Sequence, residues 1–221
     1  MAKVITIEQR ILRRNSEVAT ENRRVFDEHG VFVVTLASSP GSGKTSLLEK
    51  SLMVLREEVS VAVIEGDVQT DNDARRIEAL EVPVVQVVTN GTCHLDAQMI
   101  QGAMSHLALN KVELLFIENV GNLVCPASYE LGEHRRIVLG STTEGEDKPL
   151  KYPAMFRKSD AFVINKLDLL PYLSYDMKEA RALALRVNPA LEIFETSCTT
   201  GQGIQDFNRW IIEQMGDTSA A

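Results

Sequence analysis

Ser38-Ser39-Pro40-Gly41-Ser42-Gly43-Lys44-Thr45 sets two glycines, a lysine and a threonine at the spacing that cradles phosphate oxygens. Gly41 and Gly43 let backbone N–H groups turn inward, a helix start adds partial positive charge, and Lys44 reaches the terminal phosphates. Thr45 is the expected hydroxyl ligand of Mg²⁺, with Pro40, Ser42 and Ser46 completing the lining. The loop opens on Ser38 where such loops usually carry glycine, and its other fixed positions are intact. Asp67, in Glu65-Gly66-Asp67, and Glu118, closing Leu114–Asn119, are the acids expected to complete the magnesium site, directly or through water. Lys44, Asp67 and Glu118 are therefore the expected catalytic set, with Asp67 contacting the ion or positioning the attacking water. No glutamine stands in an obvious switch position, so intrinsic turnover should be slow. Arg75 and Arg76 are conceivable contributors from a second copy, although a solvated helix face accounts for them more simply.

Asn165-Lys166-Leu167-Asp168 closes an apolar run. An ionised Asp168 carboxylate accepts two N–H donors from guanine, adenine has no such pair, and Lys166 would lie over the base. Asn165 belongs to the same reader. Thr196-Ser197-Cys198 resembles the loop that supports a base from its other side, with Ser197 near the nucleotide and Cys198 in a small-residue packing position.

Cys93 and His94 are adjacent just before a helix, where thiolate and imidazole suit Zn²⁺ or Ni²⁺. Cys125, ahead of Pro126 in the loop after Glu118, would be the third donor, and a two-fold dimer would double the set. On residue types alone, a buried filler Cys93 and a capping His94 remain the alternative. His29, His106 and His134 read as unrelated helix or surface residues.

These residues need a scaffold that gathers them. Thr6 with Gln9 has capping-box spacing, and Ile7, Ile11, Val18, Val25 and Phe26 recur at helical period until Gly30. Strands are expected at Val31–Ala37, Val61–Glu65, Val82–Val88, Glu113–Asn119, Arg136–Leu139, Ala161–Asn165 and Leu191–Glu195. Helices are expected at Lys44–Glu57, Asn72–Leu80, Leu95–Leu109, Met177–Val187 and Ile204–Met215. This alternation implies right-handed crossovers and a mainly parallel sheet, an α/β fold. Gly140–Pro153 reads as a long functional loop. The expected organisation is an N-terminal helix (1–30) packed on one nucleotide-binding domain (31–216), with a frayed tail (217–221). A net charge of −8 argues against nucleic-acid or polybasic membrane partners, and no apolar run approaches the roughly 20 residues a membrane helix needs. Three cysteines without framework spacing suit a reducing, cytoplasmic setting.

The combined motifs are Ser38–Thr45, Glu65-Gly66-Asp67, Cys93-His94-Leu95-Asp96-Ala97, Glu118-Asn119-Val120-Gly121-Asn122-Leu123-Val124-Cys125-Pro126, Thr143-Glu144-Gly145-Glu146-Asp147-Lys148-Pro149 and Asn165–Asp168. Together they resemble the HypB family, the GTPase accessory proteins of nickel–iron hydrogenase maturation, over nearly the whole chain. The related urease accessory GTPases, the UreG proteins, carry Cys-Pro-His where this chain has Cys93 directly before His94. The resemblance implies a three-layer P-loop NTPase fold that binds GTP or GDP with Mg²⁺. It further implies that hydrolysis and GTP-promoted homodimerisation are coupled to nickel delivery into the hydrogenase large-subunit precursor, with a HypA-type metallochaperone as partner. Its interfacial Ni²⁺ or Zn²⁺ site maps onto Cys93, His94 and Cys125, and a dimer contact onto Leu169, Leu170, Tyr172 and Leu173 beside Pro171. The amino-terminal cysteine motif or His-rich stretch of some relatives has no counterpart before Val31, where there is one histidine and no cysteine. The competing readings are a UreG-like GTPase serving urease, a P-loop small-molecule kinase and a structural zinc scaffold.

Overall fold

The computed structural model describes residues 7–69 and 72–218. Seven strands form one sheet, in spatial order β3-β2-β4-β1-β5-β6-β7: β1 Phe32–Ser38, β2 Val61–Asp67, β3 Val84–Val88, β4 Leu114–Glu118, β5 Arg135–Ser141, β6 Ala161–Asn165 and β7 Glu192–Glu195. All six pairings are parallel. The helices are α1 Ile7–His29, α2 Lys44–Leu55, α3 Asn72–Glu78, α4 Ala97–Met104, α5 Lys148–Lys151, α6 Pro153–Arg157, α7 Met177–Val187 and α8 Ile204–Thr218. None of the described helices is long and apolar enough to cross a membrane.

The strands are apolar on both faces, as a sheet covered on both sides requires. Alternation at period two then sorts their side chains. Val34, Leu36, Val63, Phe116, Leu139 and Val163 pack with Leu47, Leu52, Phe207 and Ile211 from α2 and α8. Val33, Ala62, Ile64, Leu115 and Ile117 pack on the other face with Phe26 of α1 and Ile100 of α4. Val138, Phe162 and Ile164 continue that second face under α6 and α7. The result is a three-layer sandwich whose chain order reverses around β1, which opens a crevice at the carboxyl ends of the strands.

Several boundaries differ from the sequence reading. Val82–Val88 shortens to β3, the strand beginning directly after Pro83, which has no N–H to give a ladder. The helix expected from Leu95 starts at Ala97, because Asp96 is its N-cap and accepts from Met99 N at 2.8 Å. It ends at Met104, and a separate 3₁₀ turn covers Leu109–Lys111. Gly140–Pro153 is not a long loop: β5 runs to Ser141, and α5 and α6 follow, each with a proline in its first turn. α8 passes through Gly216 to Thr218, while residues 219–221 and the expected Thr6 cap lie outside the described residues. Ile211 is fully buried at the α8–sheet contact. Ile211→Ala should lower the unfolding free energy by about 2–5 kcal/mol in urea titrations, with nucleotide affinity unchanged because Ile211 lies two turns into α8, in the core and not in the loop before it.

Candidate functional site

The phosphate loop leaves the end of β1 and enters α2 with Gly41 and Gly43 at φ 76° and 97°. Gly43 needs glycine twice over, since a Cβ there would sit 2.6 Å from Asn165 Nδ2. That approach is used: Asn165 Nδ2 donates to the Ser42 carbonyl at 3.2 Å, and Lys166 Nζ donates to the Gly41 carbonyl at 2.6 Å. Asn165 Oδ1 in turn accepts from Thr196 Oγ1 at 3.2 Å and Cys198 Sγ at 3.4 Å. Lys166 itself is left-handed, φ 64°, with its carbonyl held by Thr142 Oγ1 at 2.7 Å. Ser197 Oγ donates to Asp168 Oδ1 at 2.5 Å, and this bond foremost holds the Asp168 carboxyl below its usual range. Asp168 is thus an acceptor-only carboxylate at neutral pH, the form that pairs with two N–H donors.

Lys44 Nζ reaches Ser38 Oγ at 3.2 Å and stands 4.0 Å from Glu118 Oε1. Thr45 Oγ1 donates to Glu118 Oε1 at 2.8 Å. Sheet register puts Glu65 directly opposite Glu118, and both are buried. Oxygens of Glu65, Asp73 and Glu118 lie within 4.8 Å of one another, a cluster to which Asp67 does not belong. Asp67 instead accepts from the following Val68 N at 2.5 Å, at the strand end. Burial pushes Glu118 up to about 7, and burial reinforced by the Glu118 charge pushes Glu65 up to about 8. Each keeps one buried carboxylate oxygen with no hydrogen-bond partner. Orphaned hard oxygens beside the Thr45 hydroxyl fit a divalent cation such as Mg²⁺. Glu65 and Asp73 were not singled out from sequence; the signal for Glu65 was its place two residues before Asp67, on the same strand face.

The loop is also braced from outside. Glu144 Oε2 accepts from Ser42 Oγ at 3.1 Å and Ser141 N at 2.9 Å, and Lys148 Nζ bonds both Glu144 and Ser39 Oγ. Pro40 lies against Gly121, where a Cβ would meet it at 3.1 Å. Ser46 Oγ accepts from Arg76 at 3.1 Å, and Arg76 also pairs with Glu49 and Asp73, so this arginine is engaged within its own chain.

Cys93, His94 and Cys125 converge with their ligand atoms within 4.8 Å of one another, the two Sγ atoms 3.2 Å apart. The His94 ring stacks on Tyr129 with centroids 3.9 Å apart, and its buried Nδ1 has no hydrogen-bond partner. Burial lowers the His94 pKa, which favours the neutral imidazole that ligates metal. The neighbouring Cys93 hydrogen bond and burial raise the Cys125 thiol. Two sulfurs and one nitrogen form a donor set for Zn²⁺ or Ni²⁺ with at least one position open. Cys198 lies apart, half-buried at the base end. His134 is not a surface residue: its side chain is buried, Nδ1 accepts from Val33 N at 2.9 Å and Nε2 meets Asp27 at 2.8 Å. Tyr172 and Leu173 stand exposed in a 3₁₀ segment and its end, Leu167–Leu173.

Because Glu65 binds its proton more tightly folded than unfolded, its contribution to stability is present below its ordinary pKa of 4.5 and declines as pH rises toward about 8. In chelator-treated protein, stability should therefore fall from about pH 5 to about pH 8, and Glu65→Gln should flatten that fall in urea titrations across the range.

The family profile described as CobW/HypB/UreG, nucleotide-binding domain, matches residues 32–195. The chain is 50% identical over 215 residues to the hydrogenase maturation factor HypB of Azotobacter vinelandii, covering 97% of this chain and 71% of that protein. It is 50% identical over 212 residues to HypB of Escherichia coli K12, covering 96% and 73%. Among solved structures, Helicobacter pylori HypB in complex with nickel superposes with a TM-score of 0.89 at 38% identity, over 93% of this chain and 96% of that one. HypB of Archaeoglobus fulgidus gives 0.86 at 34% identity, over 92% and 99%. An LAO/AO transport system kinase, at 16% identity and a TM-score of 0.57, shares the fold. By these matches, the chain belongs to the CobW/HypB/UreG nucleotide-binding family, among its HypB hydrogenase maturation factors.

Proposed function

We propose that the protein is a slow GTPase that couples GTP binding, hydrolysis and homodimerisation to the delivery of nickel into a hydrogenase large-subunit precursor, in the cytoplasm and with a HypA-type metallochaperone as partner. The observation that carries this reading is the short path from the phosphate loop to the cysteine pair. Pro40 abuts Gly121, Asn122 Nδ2 donates to the Cys93 carbonyl at 3.1 Å, and Cys125 follows three residues later in the same loop. A γ-phosphate that shifts Pro40 or Gly121 thereby moves a metal-bearing segment.

In this reading the P-loop residues Pro40 to Ser46 line the phosphates, Lys44 neutralises terminal oxygens, and Asn165, Lys166, Asp168, Ser197 and Cys198 hold the base. Thr45, Glu118 and Asp67, joined by Glu65 and Asp73, hold Mg²⁺ directly or through water. The ion, when bound, offsets phosphate charge as leaving-group oxygens develop it. Asp67, at the strand end facing the crevice, remains the residue we assign to the attacking water. Cys93, His94 and Cys125 take Ni²⁺ or Zn²⁺ as cargo, and a second copy across a two-fold axis supplies the missing donors. The exposed Tyr172 and Leu173, with Leu169 and Leu170, form a further self-contact. The N-terminal helix α1, Ile7–His29, packs on the nucleotide-binding domain that follows it. Cys93 directly before His94 favours this over a urease-serving relative, and Asp168 with its locked carboxylate favours it over an ATP-using kinase.

Asp168→Asn should weaken GTP binding roughly 100-fold or more and shift preference to xanthine nucleotides, read by competition against a fluorescent GDP analogue. Unchanged GTP affinity would remove the base-reader assignment. Ni²⁺ affinity should differ between protein loaded with GDP and with a non-hydrolysable GTP analogue, and should drop at least roughly tenfold in Cys93→Ala and Cys125→Ala. Oligomeric mass, measured alongside, should rise with the GTP analogue. Metal binding that ignores both nucleotide and cysteines would leave a GTPase with some other cargo.

A further inference from the structure

Two loops far apart in sequence carry the Cys93/His94 pair and Cys125, and both are gripped by the same helix. Asn15 of α1 accepts from Ala97 N at 2.8 Å and donates to the Glu130 carbonyl at 2.8 Å. Asn22, two turns further along the same face, donates to the Ala97 carbonyl at 2.8 Å and the Leu131 carbonyl at 3.0 Å. Arg23 Nε donates to the Gly132 carbonyl at 2.7 Å. Three consecutive carbonyls after the Cys125 turn, and both backbone groups of the residue three positions after His94, thus end on α1 side chains. Asn15 and Asn22 are buried, and Gly132 is pressed so close that a Cβ would stand 2.8 Å from Asn22 Cβ and 2.9 Å from the Ala19 carbonyl. Asn15 pairs both amide functions to backbone, whereas Asn22 gives both bonds from Nδ2 and leaves its buried Oδ1 without a hydrogen-bond partner. Buried amides that bridge backbone groups of two loops are costly to remove and specify one geometry. An apolar helix face could have filled the same space without these bonds, so packing alone does not account for them.

We infer that α1 is the frame that sets the distance between the Cys93/His94 loop and the Cys125 loop, with Asn15 and Asn22 as positioning residues for the thiol pair. The inference rests on the metal reading above for its purpose, and on hydrogen bonds alone for its geometry. α1 holds the loops at their far ends, at Ala97 and Glu130–Gly132, while Asn119 and Asn122 tie them nearer the nucleotide: Asn119 Oδ1 accepts from Leu95 N at 3.1 Å and Asn122 donates to Cys93. The cluster is therefore suspended between a fixed anchor and a nucleotide-facing one. Movement at the second changes the Sγ–Sγ separation only because the first stays still.

The test reads thiol spacing with a probe independent of nickel. Phenylarsine oxide bonds two nearby thiols with loss of water, so its affinity reports how well Cys93 and Cys125 are paired. Asn15→Asp keeps the acceptor for Ala97 N and deletes the donor to Glu130; Asn22→Ser shortens the reach to Ala97 and Leu131. Full-length Asn15→Asp should bind both phenylarsine oxide and Ni²⁺ roughly tenfold more weakly, with a weakened thiolate-to-nickel charge-transfer band and fluorescent-GDP affinity within about twofold of wild type. Asn22→Ser should act in the same direction. Ile211→Ala, destabilised but remote, should keep the wild-type arsenical affinity. Wild-type arsenical and Ni²⁺ binding in both asparagine variants, or an equal loss in Ile211→Ala, would overturn the framing role. Wild-type protein that takes the arsenical but ignores Ni²⁺ would remove the metal reading, while arsenical weakening in the asparagine variants would still support the frame.

Discussion

Asn165 leaves the carboxyl end of β6 and hands its amide to the Ser42 carbonyl, across a gap that only a glycine at position 43 keeps open. The interaction joins the two ends of the crevice: the end of β6, with the Asn165–Asp168 segment, thereby helps set the conformation of the Ser38–Thr45 loop. Lys166 repeats the tie at Gly41, and Thr196 and Cys198 fix Asn165 from behind. The cost is backbone in left-handed conformations at Gly41, Gly43 and Lys166, which the surrounding hydrogen bonds hold in place. A pre-shaped loop needs little reorganisation to bind phosphate, which favours affinity through preorganisation.

The second dependency runs outward from that loop. Gly121 allows the segment after β4 to touch Pro40, and the segment then spends its polar side chains on the Cys93/His94 loop through Asn119 and Asn122. Gly66 contributes by absence, since a Cβ there would collide with Leu95 at 2.7 Å and displace the same loop. Close approaches of this kind leave packed backbone little room to yield by small increments, so the segment and the loop are held in fixed relation. α1 lies on the opposite flank and holds the far ends of both loops.

Electrostatics oppose the geometry at one place. Glu65 and Glu118 face each other across adjacent parallel strands inside the protein, and both are pushed toward neutrality. Lys44 and the Thr45 hydroxyl favour the ionised form of Glu118 without prevailing over burial. Two buried carboxylates this close cannot both ionise without compensating positive charge, a pattern often found where metal or phosphate chemistry is done.

Local spacing determined a great deal here. The strand–loop–helix at Ser38–Thr45, the strand ending at Asn165 and the alternation of strands and helices were legible because each depends on neighbours a few residues away. The apolar strands and periodic helices left little freedom about a parallel α/β sheet. Boundaries slipped where a single side chain decided them, as Asp96 did for α4, and where prolines started short helices after Ser141 in what reads as a loop. What only the tertiary structure decided were pairings across large separations. Register set Glu65 opposite Glu118 and left Asp67 outside their cluster; two loops brought Cys93 and Cys125 to 3.2 Å; and α1 reached over a hundred residues to Glu130 and Leu131. Sequence chemistry names the donors a site can use, but which of them meet depends on sheet register and long-range packing, and neither leaves a local trace in the chain.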